Sequence, residues 1–127
     1  MRRLLRRWGT EGTLPESWLE ELMGRLLRDP AIPGFVRQYV VTDARNQFVA
    51  RVDAAVPAAR LAIEGHSRGF HFGPINEATD EDRDLRLTAA GFETISLGWY
   101  ATKSPAAVAA TIRQIVADRL EIFAATA

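Results

Sequence analysis

The run RLAIEGH, residues 60–66, constrains the fold more than any other stretch of the 127-residue chain. Short, apolar and without polar alternation, it reads as a strand buried on both faces, which calls for a sheet covered by helices. Yet it carries Glu64, and an unpaired charge in such a run is expensive to bury. Side chains two apart on a strand share a face, so Ala62, Glu64 and His66 point one way while Leu61, Ile63 and Gly65 point the other. The loop SRGFHFGP then adds Arg68 and His71 within a few positions of the acid.

The remaining elements follow from periodicity and punctuation. TLPESWLEELMGRLLRD predicts a first helix, with Trp18, Leu22 and Leu26 on one stripe, Leu19, Met23 and Leu27 beside it, and Ser17 as N-cap. Pro30, Pro33 and Gly34 stop it. FVRQYVVT and FVARVDAAV predict a hairpin turned by DARNQ, with Pro57 ending the second strand. INEATDEDRDLRLTAAG predicts a charged helix stopped by Gly91, and FETISLGWY alternates as a strand. Ser104 and Pro105 open a last helix that faces the core with Val108, Ile112, Ile115 and Val116. The order αβββαβα predicts an α/β fold: a mixed sheet of about four strands with helices on its faces.

Composition narrows the function classes. The hydrophobic fraction of 47% and charged fraction of 25% are those of an ordinary globular chain, so residues 14–127 are expected to form one domain behind a basic arm, residues 1–13. The absence of cysteine excludes disulfides, thiolate zinc and a cysteine nucleophile, and makes a reducing cytoplasm the simplest expected location. MRRLLRRWG lacks a signal-peptide core, and no segment approaches the roughly 18 apolar residues that span a bilayer, so no membrane partner is expected. Sixteen basic and sixteen acidic residues cancel, so any nucleic-acid surface must be local. Rossmann and P-loop signatures are missing, which argues against a nucleotide cofactor, and no glycine-flanked elbow supports a Ser67–His66 hydrolase.

Asp53 stands just before the Ala54–Pro57 exit of its strand, where a neighbouring strand would bring it beside Glu64. Two carboxylates about 4 Å apart repel by about 4 kcal/mol at an effective dielectric of roughly 20, so they need a proton or a cation between them. Magnesium takes one or two carboxylates, keeps several waters and fills its other positions with phosphate oxygens. Such an ion polarises a phosphodiester and lowers the pKa of the attacking water.

RVDAAVP, LAIEGHSRGFHF and DEDRDLRLTAAGFETISLGW, taken as an ordered set, resemble the small endonuclease domain related to very short patch repair nucleases, in the PD-(D/E)XK or restriction-endonuclease-like superfamily. The resemblance covers residues 17 to 118. It implies a restriction-endonuclease-like sheet and a metal-dependent endonuclease that hydrolyses DNA phosphodiester bonds with magnesium, or with manganese in its place. Asp53 and Glu64 would then be the two metal-binding acids. His66 falls where many superfamily members carry lysine and this family often carries aspartate, a change that would leave activity retained, retuned to manganese or lost. His71 matches the histidine after the acidic strand. Asp80, Arg83 and Asp84 match an acid and an Arg-Asp signature on the next helix, Glu20 an acid on the first helix, and Gln38 a recurrent glutamine on the first strand. Glu20, His66 and His71 are thus candidate catalytic residues beside the acid pair. Arg68, Arg83 and Gln38 are candidates for substrate binding, with Asp80 and Asp84 in support. The implied partners are DNA and, where both strands are cut, a second copy of the chain.

Each residue also has a plainer reading. Asp53 alone reads as a turn residue before Pro57, and both histidines as groups satisfied by backbone carbonyls. Glu20, three residues after Ser17, fits a capping box. Asp80 with Arg83, and Asp82 with Arg86, have the spacing of helix-surface ion pairs worth about 0.5 kcal/mol. Arg2, Arg3, Arg6 and Arg7 form either a phosphate-binding arm or a frayed end. The alternative function is a nuclease-like fold that no longer cuts and binds nucleic acid or a protein in a toxin–antitoxin or phage-defence setting.

Overall fold

A computed structural model describes residues 14–65, 74–100 and 103–125, apart from the side chains of 74–80, 99–100 and 125. Among the described residues, three helices, α1 (Glu16–Arg28), α2 (Pro74–Ala89) and α3 (Pro105–Ala125), accompany four strands, β1 (Val36–Thr42), β2 (Phe48–Val56), β3 (Leu61–Glu64) and β4 (Glu93–Ser96). The sheet order is β1-β2-β3-β4. The first three strands form an antiparallel meander, and β4 runs parallel to β3, as the crossover through α2 requires. The fold is therefore α/β with a mixed open sheet, in the order expected. Among the described residues, no helix is long and apolar enough to cross a membrane.

The apolar content of β3 serves two faces. Leu61 and Ile63 join Leu22, Met23 and Leu26 of α1 and Val108, Ile112 and Val116 of α3 in one core. Ala62 joins Val52 and Ala55 of β2 and Leu87 of α2 in the other. Burial on both sides is why this strand shows no polar alternation.

The hairpin turn is built by Asp43, whose Oδ1 accepts from the amides of Arg45 and Gln47 at 2.8 and 2.9 Å, with Asn46 at φ 63°. Gly91 takes φ 91°, and the amides of Gly91 and Phe92 return to the carbonyls of Thr88 and Leu87 at 2.9 Å, the Schellman ending of α2. A Cβ there would stand 3.1 Å from Nη1 of Arg60. Gly91→Ala is expected to cost about 1 kcal/mol or more, measured as a lower urea midpoint at unchanged slope.

Ser104 caps α3 through its hydroxyl, which accepts from the Ala107 amide at 3.1 Å. Ser17 does not cap α1. The extended Pro15 is the N-cap, and Leu19 closes the first turn onto the Pro15 carbonyl at 3.1 Å. Ser17 therefore lies within the first turn, and the capping box expected of Glu20 does not form. Leu27, expected beside Met23, is 62% exposed, at the edge of the stripe that Leu19, Leu22, Met23 and Leu26 present to the core. The strand expected over FETISLGWY ends at Ser96, and Leu97–Tyr100 winds into a 3₁₀ turn. The neighbouring strand β3 ends at Glu64, in register with Ser96, so the backbone beyond has no ladder there to extend and satisfies itself locally.

Candidate metal centre

The register of β2 and β3 brings the two acids together. Ala55 pairs with Ala62 and Ala54 with Ile63, so the next step sets Asp53 opposite Glu64. Oδ2 of Asp53 accepts from the Gly65 amide at 2.9 Å, which fixes the Asp53 carboxylate across the end of β3. On the other side β4 places Ser96 in register with Glu64, so a polar row crosses three strands where the α2 helix covers the sheet.

Arg83 of α2 completes the row. Its Nη1 donates to Oε1 of Glu64 at 2.5 Å, and its Nη2 to the Arg51 carbonyl at 2.6 Å. One turn further along, Arg86 donates to the Phe48 carbonyl at 3.0 Å. These contacts, rather than a solvated face alone, are the work of the two arginines: they staple α2 onto β2. Glu64 and Arg83 are both largely enclosed, with side chains 19% and 25% exposed.

Burial pushes the Glu64 carboxyl above its ordinary range. The Arg83 guanidinium opposes that rise without cancelling it, and the neighbouring charges of Asp53 and Asp84 add to it. A raised folded value means that the folded protein holds the Glu64 proton where the unfolded chain has lost it. Stability from this group is therefore present at and below the ordinary glutamate range and is lost as pH rises through the folded value. In chelator, the urea midpoint of Glu64→Gln is expected to draw ahead of wild type as pH rises through this window.

Gln38 also lies beside the site. Arg37 pairs with Ala54 and Tyr39 with Val52, so Gln38 stands opposite Asp53, with φ 54°. A left-handed glutamine within a strand costs roughly 1–3 kcal/mol, and such strain collects at functional positions. The pleat of β2 changes phase here: Val52 faces the α2 side of the sheet, as Ala55 does, while Ala54 and Val56 face α1 and α3.

Glu20 is not drawn into the row. It pairs at 3.4 Å with Arg37, whose β2 partner Ala54 belongs to the core on the α1 and α3 side. His66, Arg68 and His71 lie outside the described residues, as does the side chain of Asp80. Ser96 was legible only as a member of the polar face of its strand, and the Arg51 carbonyl carried no sequence signal.

The donor set suits a hard cation. Each carboxylate offers about four lone-pair sites, and the contacts above engage one oxygen of each, Oδ2 of Asp53 and Oε1 of Glu64. Among the described residues, no group of three His, Cys, Asp or Glu side chains converges to cage an ion. Two carboxylates with water and phosphate making up the remainder is the arrangement magnesium adopts. Comparisons of the chain with family models, curated proteins and solved structures find no match.

Proposed function

We propose that this protein is a divalent-metal-dependent endonuclease of restriction-endonuclease-like fold that hydrolyses DNA phosphodiester bonds. The observation that carries the reading is the facing of Asp53 and Glu64 across β2 and β3, two acids set opposite one another between strands whose neighbouring residues Ala54, Ala55, Ala62 and Ile63 are buried. The antiparallel meander with a parallel fourth strand, and the resemblance of the motifs around the acids, support it.

Asp53 and Glu64 would hold magnesium or manganese, which supplies charge neutralisation and an activated water when bound. The Gly65 amide aims the Asp53 carboxylate, and Arg83 holds Glu64 in place before metal binds. His66 or His71 would move the proton, and Arg68 and Gln38 would meet the DNA backbone. The location that goes with this reading is the cytoplasm, and a second copy would be needed where both strands are cut.

One observation favours a non-cutting module that binds nucleic acid or a protein: Arg83 already neutralises Glu64, so the acid pair is partly satisfied without metal. The two readings separate in one assay, nicking of supercoiled plasmid with magnesium, with manganese and with chelator, run beside Asp53→Ala. The endonuclease shows metal-dependent nicking that the variant lacks. Salt-sensitive DNA binding that needs no metal and survives Asp53→Ala identifies the module instead.

A further inference from the structure

We propose that Arg83 is the built-in counter-cation of the acid pair, and that a divalent ion enters the Asp53–Glu64 site by displacing it. The proposal rests on the metal-site reading above and adds a gating residue to it. The guanidinium bridges two anchors at once, Oε1 of Glu64 at 2.5 Å and the Arg51 carbonyl at 2.6 Å, and so lies over the strand pair that carries both acids. A metal ion bonded to Glu64 would stand a few ångströms from that guanidinium, so two cations would compete for one carboxylate charge while repelling each other.

The helix is built to tolerate the release. Arg86 on the Phe48 carbonyl and the fully buried Leu87 hold α2 against the sheet one turn beyond Arg83. Arg83 ends in a long side chain that keeps 25% of its surface exposed, so its guanidinium reaches solvent from its present position. Arg83 is in this sense a positioning residue: it holds the acid pair before metal binds and sets the affinity of the metal.

Calorimetric titration of magnesium and of manganese into wild type, Arg83→Gln, Arg83→Lys and Glu64→Gln tests this, with melting in chelator to confirm folding. Arg83→Gln is expected to bind the metal about tenfold more tightly, a difference readily resolved by titration. Arg83→Lys, which keeps the charge but presents a point donor in place of a fork, is expected to fall between Arg83→Gln and wild type. Glu64→Gln is expected to bind weakly or not at all. Magnesium should also shift the guanidinium ¹⁵N resonances of Arg83 in wild type and leave them unmoved in Glu64→Gln, a readout that a purely structural ion pair would not give. Binding by wild type with equal or weaker binding by Arg83→Gln, or Arg83→Lys indistinguishable from wild type, overturns displacement and leaves the metal site standing. No binding by wild type or Arg83→Gln overturns both.

Discussion

Glu64→Gln is expected to lower metal-dependent plasmid nicking by about 10²–10³-fold, the scale on which a preorganised electrostatic group is lost from an active site. The same substitution is expected to raise the melting temperature in chelator relative to wild type once the pH is above the ordinary glutamate range, and to raise it further as the pH climbs. The two effects share one cause. Burial makes the Glu64 carboxylate costly to ionise even with Arg83 against it, and the proposed metal site is what would use that charge. Glutamine keeps the shape and can still accept from Arg83, but cannot neutralise a cation. Loss of nicking accompanied by a drop in melting temperature would make Glu64 a structural ion-pair partner instead.

Arg119→Ala is expected to destabilise the protein by about 2–3 kcal/mol, far more than loss of an ordinary surface arginine, because it removes donors from the Ala59 and Gly91 carbonyls, whereas the Arg60 carbonyl keeps the Glu93 amide at 3.0 Å. Its guanidinium donates to the carbonyls of Ala59, Arg60 and Gly91 at 2.7, 3.3 and 3.4 Å. It also stands 5.3 Å from the Phe123 ring, with Arg60 4.8 Å from the same ring, and reaches Glu93 at 3.8 Å. α3 is thereby tied to the turn before β3 and to the turn before β4, the two strands that align Glu64 and Ser96. Arg119→Lys is expected to recover only part of the loss, since one ammonium cannot fork between carbonyls. Urea unfolding of both variants measures this, and a loss under about 1 kcal/mol for alanine would show the clamp to be dispensable.

Glu64 was legible from sequence because a charge within an apolar run demands an explanation before any fold is known. Asp53 was legible only as half of a pair, since its partner depends on the register of two strands, which the hairpin and the 3₁₀ turn Pro57–Ala59 set together. Arg83 was visible as a motif residue, yet its spacing from Asp80 suggested a helix-surface pair, and only docking of α2 reveals the contacts with Glu64 and Arg51. The helix and strand order followed from periodicity, because alternation and heptad-like stripes report burial directly. Local ends did not. Pro15 displaced the expected Ser17 cap, and the termination of β3 cut short a strand whose own residues alternate beyond Ser96. Such endings are decided by the neighbour across the sheet, which no local pattern encodes.

The most direct test is the anomalous difference map of a crystal grown with manganese. A peak within coordinating distance of both the Asp53 and Glu64 carboxylates, with the Arg83 guanidinium turned off Glu64, is the predicted result. A map in which manganese approaches neither carboxylate, from protein that still nicks DNA with manganese, would place the chemistry elsewhere in the chain and contradict the account.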